Sequence, residues 1–307
     1  MRGLKNILGG GALSQSDRLV SSELPPPSVE AVERALWLAK LNSARLTFFY
    51  ALAVSAAAQR LIEEDGGKET VLAEARHVLN KLVAQAAADG VAADMQVQFG
   101  KSWLELIRQV LRNEHDLLVA GTRHQSAWRG ALMGSTGIKL LRKCPCPVWI
   151  TQPQPHTEIT SILVAHDLRP VGDLAMELGC SMAELHGAQL HVLHSLEYPE
   201  LKYALPSRVS AETSAEFRAR ALQHIAPQYA NYEFAKDPQV HLVTDPPDAA
   251  ILEHIESYAV ELLVMGTIAR TGIAGFLVGN TAERLLPLIP CSVLAVKPEG
   301  FVTPVRL

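Results

Sequence analysis

The two halves of this chain repeat each other. Gly121 and Gly266 stand in equivalent contexts, and the offset between them (266 less 121, or 145 positions) carries through the surrounding region without a gap. It sets Gly134 on Gly279, Thr136 on Thr281, Leu140-Leu141 on Leu285-Leu286 and Cys146 on Cys291. A period this long marks a duplicated domain, because solenoid units repeat every ~20–50 residues. The length of 307 residues agrees, since single hydrophobic cores stop growing near that size. The boundaries fall at 1–151 and 158–307. Residues 152–157, opening Gln152-Pro153-Gln154-Pro155-His156, form a short polar linker between them.

Within each half, apolar runs alternate with amphipathic stretches. In the first half, strands are expected at Asn6 to Leu8, Leu46 to Ala53, Met95 to Phe99, Asp116 to Ala120 and Val148 to Thr151. The helix with the clearest stripe lies between Glu69 and Ala88, where Leu72, Ala75, Leu79, Leu82, Val83 and Ala86 recur at helical spacing. In the second half, strands are expected at Ile159 to Ala165, Gln189 to Ser195, Gln239 to Val243, Glu261 to Met265 and Ser292 to Val296. Helices fall between them, at Asp173 to His186, near Ser210 to Ile225 and at Ala249 to Tyr258. Strand–helix alternation of this kind predicts a parallel sheet with helices on its faces.

The stretch Leu262 to Val296 carries the chemistry. A buried strand runs into Gly266, a loop holds Gly272 and Gly275, and Gly279-Asn280-Thr281 opens an amphipathic segment that Pro290 stops. A strand, a glycine loop and a helix start together let backbone N–H groups surround an anion. The spacing is Gly266, two residues, Ala269, nine residues, then Gly279-Asn280.

This spacing resembles the nucleotide loop of the universal stress protein family. ATP-binding members of that family carry Gly, two residues, Gly, nine residues, Gly, then Ser or Thr. The run GTIARTGIAGFLVGNTAE and the ending VKPEGFVTPVRL are most similar to the second half of tandem two-domain (UspE-like) members. The resemblance covers nearly the whole chain. It implies an α/β protein of two tandem Rossmann-like (adenine nucleotide alpha hydrolase-like) domains, each a five-stranded parallel sheet flanked by helices. It also implies that the last strands of the halves meet as an internal pseudo-dimer. The expected role is a stress-response binding and signalling module.

The resemblance further implies a second-half site for ATP or another adenine nucleotide. Asp167, after the first strand, would accept hydrogen bonds from ribose hydroxyls. Ser195, after the second strand, would lie at the adenine edge. Gly266, Ala269, Arg270, Gly279, Asn280 and Thr281 would surround the phosphates, with Arg270 offsetting the charge of Glu283. Two of these depart from the pattern: Ala269 replaces a glycine, and Asn280 replaces a hydroxyl residue. Alanine would be strained by roughly 1 kcal/mol or more if its φ were positive. Asn280 with Glu283 also reads as a capping-box variant, which needs no ligand. In the first half the loop ends Gly134-Ser135, nearer the ATP-binding pattern. Yet His124 replaces a glycine, Trp128 sits inside the loop, and Gly9-Gly10-Gly11 stands where the ribose aspartate is expected. That half reads as degenerate and ligand-free.

Other chemistries find little footing. Neither loop ends in the Gly-Lys-Ser/Thr of a P-loop, and no HExxH or nucleophile-elbow motif is present. A slow ATPase is the most that the pattern allows an enzyme reading. His191 and His194, three apart on one strand, face opposite sides and make a poor chelate. Cys144-Pro145-Cys146 lacks CxxC spacing and reads as buried packing. A net charge of -4 gives no basic footprint for nucleic acid or an anionic membrane. No stretch approaches the ~20 apolar residues of a membrane span. The N-terminus lacks the apolar core of a secretory signal. Four cysteines in this length suit a reducing, cytoplasmic setting. The expected partners are an adenine nucleotide and an unidentified protein, with a homodimer left open. The alternative is a nucleotide-independent interaction scaffold or a carrier of an apolar ligand.

Overall fold

The computed structural model describes residues 4–14, 28–53, 67–122, 133–152, 158–196, 211–267 and 280–307. Several expectations lie outside these residues: the Ser/Pro-rich loop after Ser14, His124 and Trp128, most of the linker, and Ala269, Arg270 and Gly279.

The chain divides into two compact units. The first-half unit orders its strands β3-β2-β1-β4-β5, with β1 Asn6–Ser14, β2 Arg45–Ala53, β3 Ala93–Phe99, β4 Leu117–Gly121 and β5 Val148–Thr151. Its helices are α1 Val29–Asn42, α2 Gly67–Ala88, α3 Ser102–Asn113 and α4 Ser135–Lys143. The second-half unit repeats the order as β8-β7-β6-β9-β10, with β6 Ser161–Ala165, β7 Gln189–Ser195, β8 Gln239–Val243, β9 Leu262–Gly266 and β10 Ser292–Val296. Its helices are α5 Pro170–His186, α6 Ala211–Tyr229, α7 Pro247–Ser257 and α8 Asn280–Leu285. Every pairing within each half is parallel. Each half is a five-stranded Rossmann-like domain: the parallel sheet is what the alternation predicted, and the five-stranded form is what the family resemblance implied.

Helices on both faces explain why the central strands read as unbroken apolar runs. Ile162, Leu163 and Val164 on β6 and Leu262, Leu263 and Val264 on β9 are fully buried. On α2, Leu72, Ala75, Leu79 and Ala86 turn inward. Ser28 caps α1, its hydroxyl accepting the Ala31 N–H at 3.3 Å. The C-terminal residues 301–307 belong to the first-half unit, where Arg108 Nε donates to the Arg306 carbonyl at 3.1 Å and Val305 is buried.

Two local differences from the sequence expectation bear on the site. The glycine run at 9–11 was expected to end β1, yet β1 continues to Ser14, paired with β2 as far as Ala53. Close packing explains a glycine at position 10, since a Cβ there would sit 2.7 Å from Leu106 Cδ2 on α3. Register then gives the true counterparts. Gly10 pairs with Ala120 as Ala165 pairs with Met265, so Ala12, and none of the glycines, corresponds to Asp167. The second difference is the segment before Pro290. Its α-helix stops at Leu285 and a single 3-10 turn runs Leu286–Leu288, whereas the repeat-related α4 stays helical to Lys143. Pro287 is the cause: it lacks the N–H that would bond the Glu283 carbonyl, and Arg142 stands there in the first half.

Candidate functional site

In an open parallel sheet the ligand crevice lies beyond the carboxyl ends of the strands where the chain reverses its direction of travel. In the second half that point is between β6 and β9. After Ala165 the chain makes a tight turn, His166-Asp167-Leu168-Arg169, and enters α5 at Pro170, whose missing N–H suits a first helical position.

The turn is heavily tied. The His166 N–H donates to the Leu193 carbonyl at 2.9 Å, and His194 Nδ1 donates to the His166 carbonyl at 2.8 Å. The Leu168 N–H donates to His166 Nδ1 at 2.9 Å, which fixes the ring proton of the neutral imidazole on Nε2. Leu168 takes φ 55 to make this bond. The Arg169 N–H donates to Asp167 Oδ1 at 3.2 Å. A Cβ on Gly172 would lie 2.5 Å from Asp167 Oδ1, so only glycine lets this carboxylate rest against the first turn of α5. The His166 ring is buried, and burial holds its pKa below the usual histidine value, partly offset by a hydrogen bond to Gln228 and the charge of Asp173.

Gly266 ends β9 directly beside this turn. A Cβ there would meet Val171 Cγ2 at 2.8 Å, so the glycine is needed for α5 to pack over the strand end, whatever else it does. Gly121 repeats the device, because its Cβ would collide with Ser28 at the start of α1. Ser195 ends β7, and its hydroxyl donates to the Asp245 carbonyl at 2.6 Å, joining that strand to the turn before α7. Asn280 and Thr281 open α8. Asp167 and Gly266 therefore stand together at the β6/β9 ends, while Ser195 lies one strand away on the β7 side.

Sequence reasoning missed a pair that the repeat offset would have revealed. Thr267 follows β9, and Lys297 follows β10; both are buried, and Lys297 Nζ donates to Thr267 Oγ1. At the equivalent first-half positions Thr122 Oγ1 donates to Gln152 Oε1 at 2.8 Å. The contact is conserved between the halves, but only the second half puts a cation there. Arg284 on α8 was also missed. It makes two bonds to the Asp248 carboxylate on α7, at 2.7 and 3.1 Å, and these hold the Asp248 pKa below the usual carboxylate value.

The four cysteines are buried and none forms a disulfide. Cys144 Sγ lies 3.5 Å from Cys146 Sγ. Burial pushes the Cys180 and Cys291 thiols up to about 12, which keeps both protonated at neutral pH. His191 and His194 face opposite sides of β7 as expected. His191 Nδ1 lies 3.1 Å from His241 Nε2, in a cluster with His254 and Tyr258. Among the described residues no helix is long and apolar enough to cross a membrane.

A duplicated, all-parallel domain with its crevice at the β6/β9 switch point places the chain in a defined class. The family model described as universal stress protein family matches residues 19–152 and 158–297, and the chain belongs to that family in its tandem form. It is similar to universal stress protein E of Photorhabdus laumondii, at 22% identity over 90% of this chain and 93% of that protein. It is also similar to universal stress protein E of Escherichia coli K12, at 25% identity over 71% of this chain and 72% of that one. Among solved structures, a universal stress protein of Archaeoglobus fulgidus superposes with a TM-score of 0.63 at 20% identity, covering 95% of this chain and 97% of its own. A functionally unknown protein, PA1789 of Pseudomonas aeruginosa PAO1, gives 0.68 at 23% identity, covering 96% and 93%.

Proposed function

We propose that the second half binds an adenine nucleotide, ATP foremost, and that the protein serves as a cytoplasmic stress-response binding and signalling module with at most a weak ATPase activity. The observation that carries this reading is the asymmetry of the repeated pair. Lys297 brings a buried ammonium to the strand ends, bonded to Thr267 just past β9, where the first half has the neutral Gln152. Asp167 lies beyond β6 and Lys297 beyond β10, with β9 between them. Two strand spacings of ~4.8 Å give about 10 Å, the reach from a ribose to its phosphate chain. A carboxylate for hydroxyls at one end and an ammonium for phosphates at the other suit a nucleotide. Ala269, Arg270, Gly279, Asn280 and Thr281 complete the phosphate side in this reading, and the Ser195 backbone the adenine side. The first half has Ala12 for Asp167 and Gln152 for Lys297, so it is read as empty. The proposed boundaries of the two domains are 1–151 and 158–307, joined by 152–157.

The scaffold alternative draws on Gly266, whose packing against Val171 accounts for that glycine without any ligand. Two measurements separate the readings. The purified protein is denatured, the precipitate removed, and the supernatant resolved by ion-exchange chromatography with ultraviolet detection; about one adenine nucleotide per chain is expected. In calorimetric titration of emptied protein, Lys297→Gln is expected to weaken ATP binding about 10-fold or more, the worth of a charged hydrogen bond. Gly279→Trp is expected to remove binding with the far-ultraviolet spectrum unchanged. An empty protein that ignores added ATP overturns the proposal in favour of the scaffold, and retained binding in Gly279→Trp overturns the site assignment.

A further inference from the structure

We propose that His166, Asp173 and His224 form a binding site for a zinc-class divalent cation. The three come from different elements of the second-half unit: the turn after β6, the first turn of α5, and α6. One ligand atom of each lies within 4.8 Å of the other two. Asp173 Oδ1 is 2.8 Å from His224 Nε2 and 3.4 Å from His166 Nε2. A tetrahedral zinc with bonds of ~2.0–2.1 Å holds its ligand atoms roughly 3.3 Å apart. The two observed edges straddle that value, so these side chains already stand near ligand spacing. Two imidazoles and a carboxylate are a borderline-soft donor set that suits zinc over magnesium or calcium. Three protein ligands leave a position for water or an anionic ligand.

Proton positions decide what binding requires. In the ion-free arrangement Asp173 Oδ1 accepts from His224 Nε2 and from Gln228 Nε2, the latter at 2.9 Å. His166 Nε2 also carries its proton, because Nδ1 receives the Leu168 N–H. A cation on both Nε2 atoms moves each ring's proton to Nδ1. For His224, half-exposed on α6, water accepts it. For His166 the peptide between Asp167 and Leu168 must turn over, so that the Asp167 carbonyl replaces the Leu168 N–H as its partner. A backbone carbonyl is the usual outer partner of a metal-bound histidine. The same rotation carries Leu168 from φ 55 to the extended region, which removes a left-handed conformation unfavourable at a non-glycine residue. Strain in the ion-free turn thus favours the bound form. Gln228 Oε1, 3.3 Å from His166 Nε2, is placed to accept from a metal-bound water.

None of the three ligands is a proposed nucleotide contact, so the test uses nucleotide-free full-length protein. It is stripped with EDTA, desalted, dialysed against zinc and then against metal-free buffer, and the bound metal is counted by mass spectrometry. About one zinc per chain is expected in the wild type. Asp173→Asn and His224→Ala, both at partly exposed positions, are expected to weaken binding at least about 100-fold with circular dichroism unchanged. His77→Ala, an exposed histidine on α2, should bind as the wild type does. Cobalt in place of zinc should give visible d–d absorption without a thiolate charge-transfer band. A wild type that holds neither metal overturns the proposal. So does undiminished binding in both variants, or a thiolate band, which would move the metal to the cysteines.

Discussion

Gly179→Val lowers the melting temperature of the second half by about 5–10 °C, the largest single-residue effect expected in this chain. Gly179 lies in the middle of α5 and is buried. A Cβ there would run into Val164 Cγ2, the fully buried centre of β6, with Leu190 Cδ1 within van der Waals reach at 3.9 Å. Replacing a mid-helix glycine gains at most about 1 kcal/mol of helix propensity, and less for a β-branched residue. Forcing extra methyl groups into a packed seam costs about 1–3 kcal/mol. Here the obstruction is a β-branched side chain on a central strand, with no flexible tip to swing aside, so the clash wins. Gly134→Ala is the control. Its Cβ would meet nothing within 4 Å, and it precedes α4 with extended φ and ψ of -68 and 164. Scanning calorimetry should show one transition displaced in Gly179→Val and almost none in Gly134→Ala. Equal melting of Gly179→Val and wild type would mean that α5 does not pack on β6 as described.

Acidification from pH 7 to pH 5 destabilises the second half. His191 is buried among imidazoles, 3.1 Å from His241 and in ring contact with Tyr258, while His254 packs edge-on against His241. Burial first, then the neighbouring His241 and His254, lower the His191 pKa to about 4. The same causes, burial and then His254, lower His241, and burial lowers His166. In each case the unfolded chain titrates near 6.5 and the folded one below it. Between those values the unfolded state holds more protons, so stability is full above about pH 6.5 and is lost as pH falls toward 4. His191 alone supplies about 2 kcal/mol of this loss once solvent access to the cluster is allowed for. Urea midpoints at pH 7, 6 and 5 should fall in order. His241→Gln, which removes one repelling imidazole, should flatten the decline. A midpoint independent of pH from 7 to 5 would show that the cluster accepts protons without penalty.

Most of the architecture was legible because the repeat and the apolar runs are both strong signals. The bounds of β4 and β9 agree at the 145-residue offset to the residue, and β5, β7, β8 and β10 lie where their β-branched runs place them. Illegible features were of two kinds. One was local sequence overridden by packing: three glycines read as a strand end, but α3 needs the space beside Gly10, and β1 runs on. The other was long-range convergence. Asp167 and Gly266 could be found from the strand ends they occupy, but Lys297 with Thr267, and His224 with His166, are far apart in sequence and carry no local motif. The first of those pairs was recoverable by sliding one half onto the other. The second has no echo in the first half and emerges only in the folded chain.

The assignment of residues 301–307 to the first-half unit alters the order in which this protein can be completed during its synthesis. Translation delivers β1 to β5 early, yet the Arg306 carbonyl that meets Arg108, and the buried Val305, emerge only after the whole second half has been made. The amino-terminal unit therefore waits, with part of its surface unfinished, until the chain returns to it. A nascent chain stalled anywhere in the second half holds an incomplete first half, so the unit made first is also the one closed last.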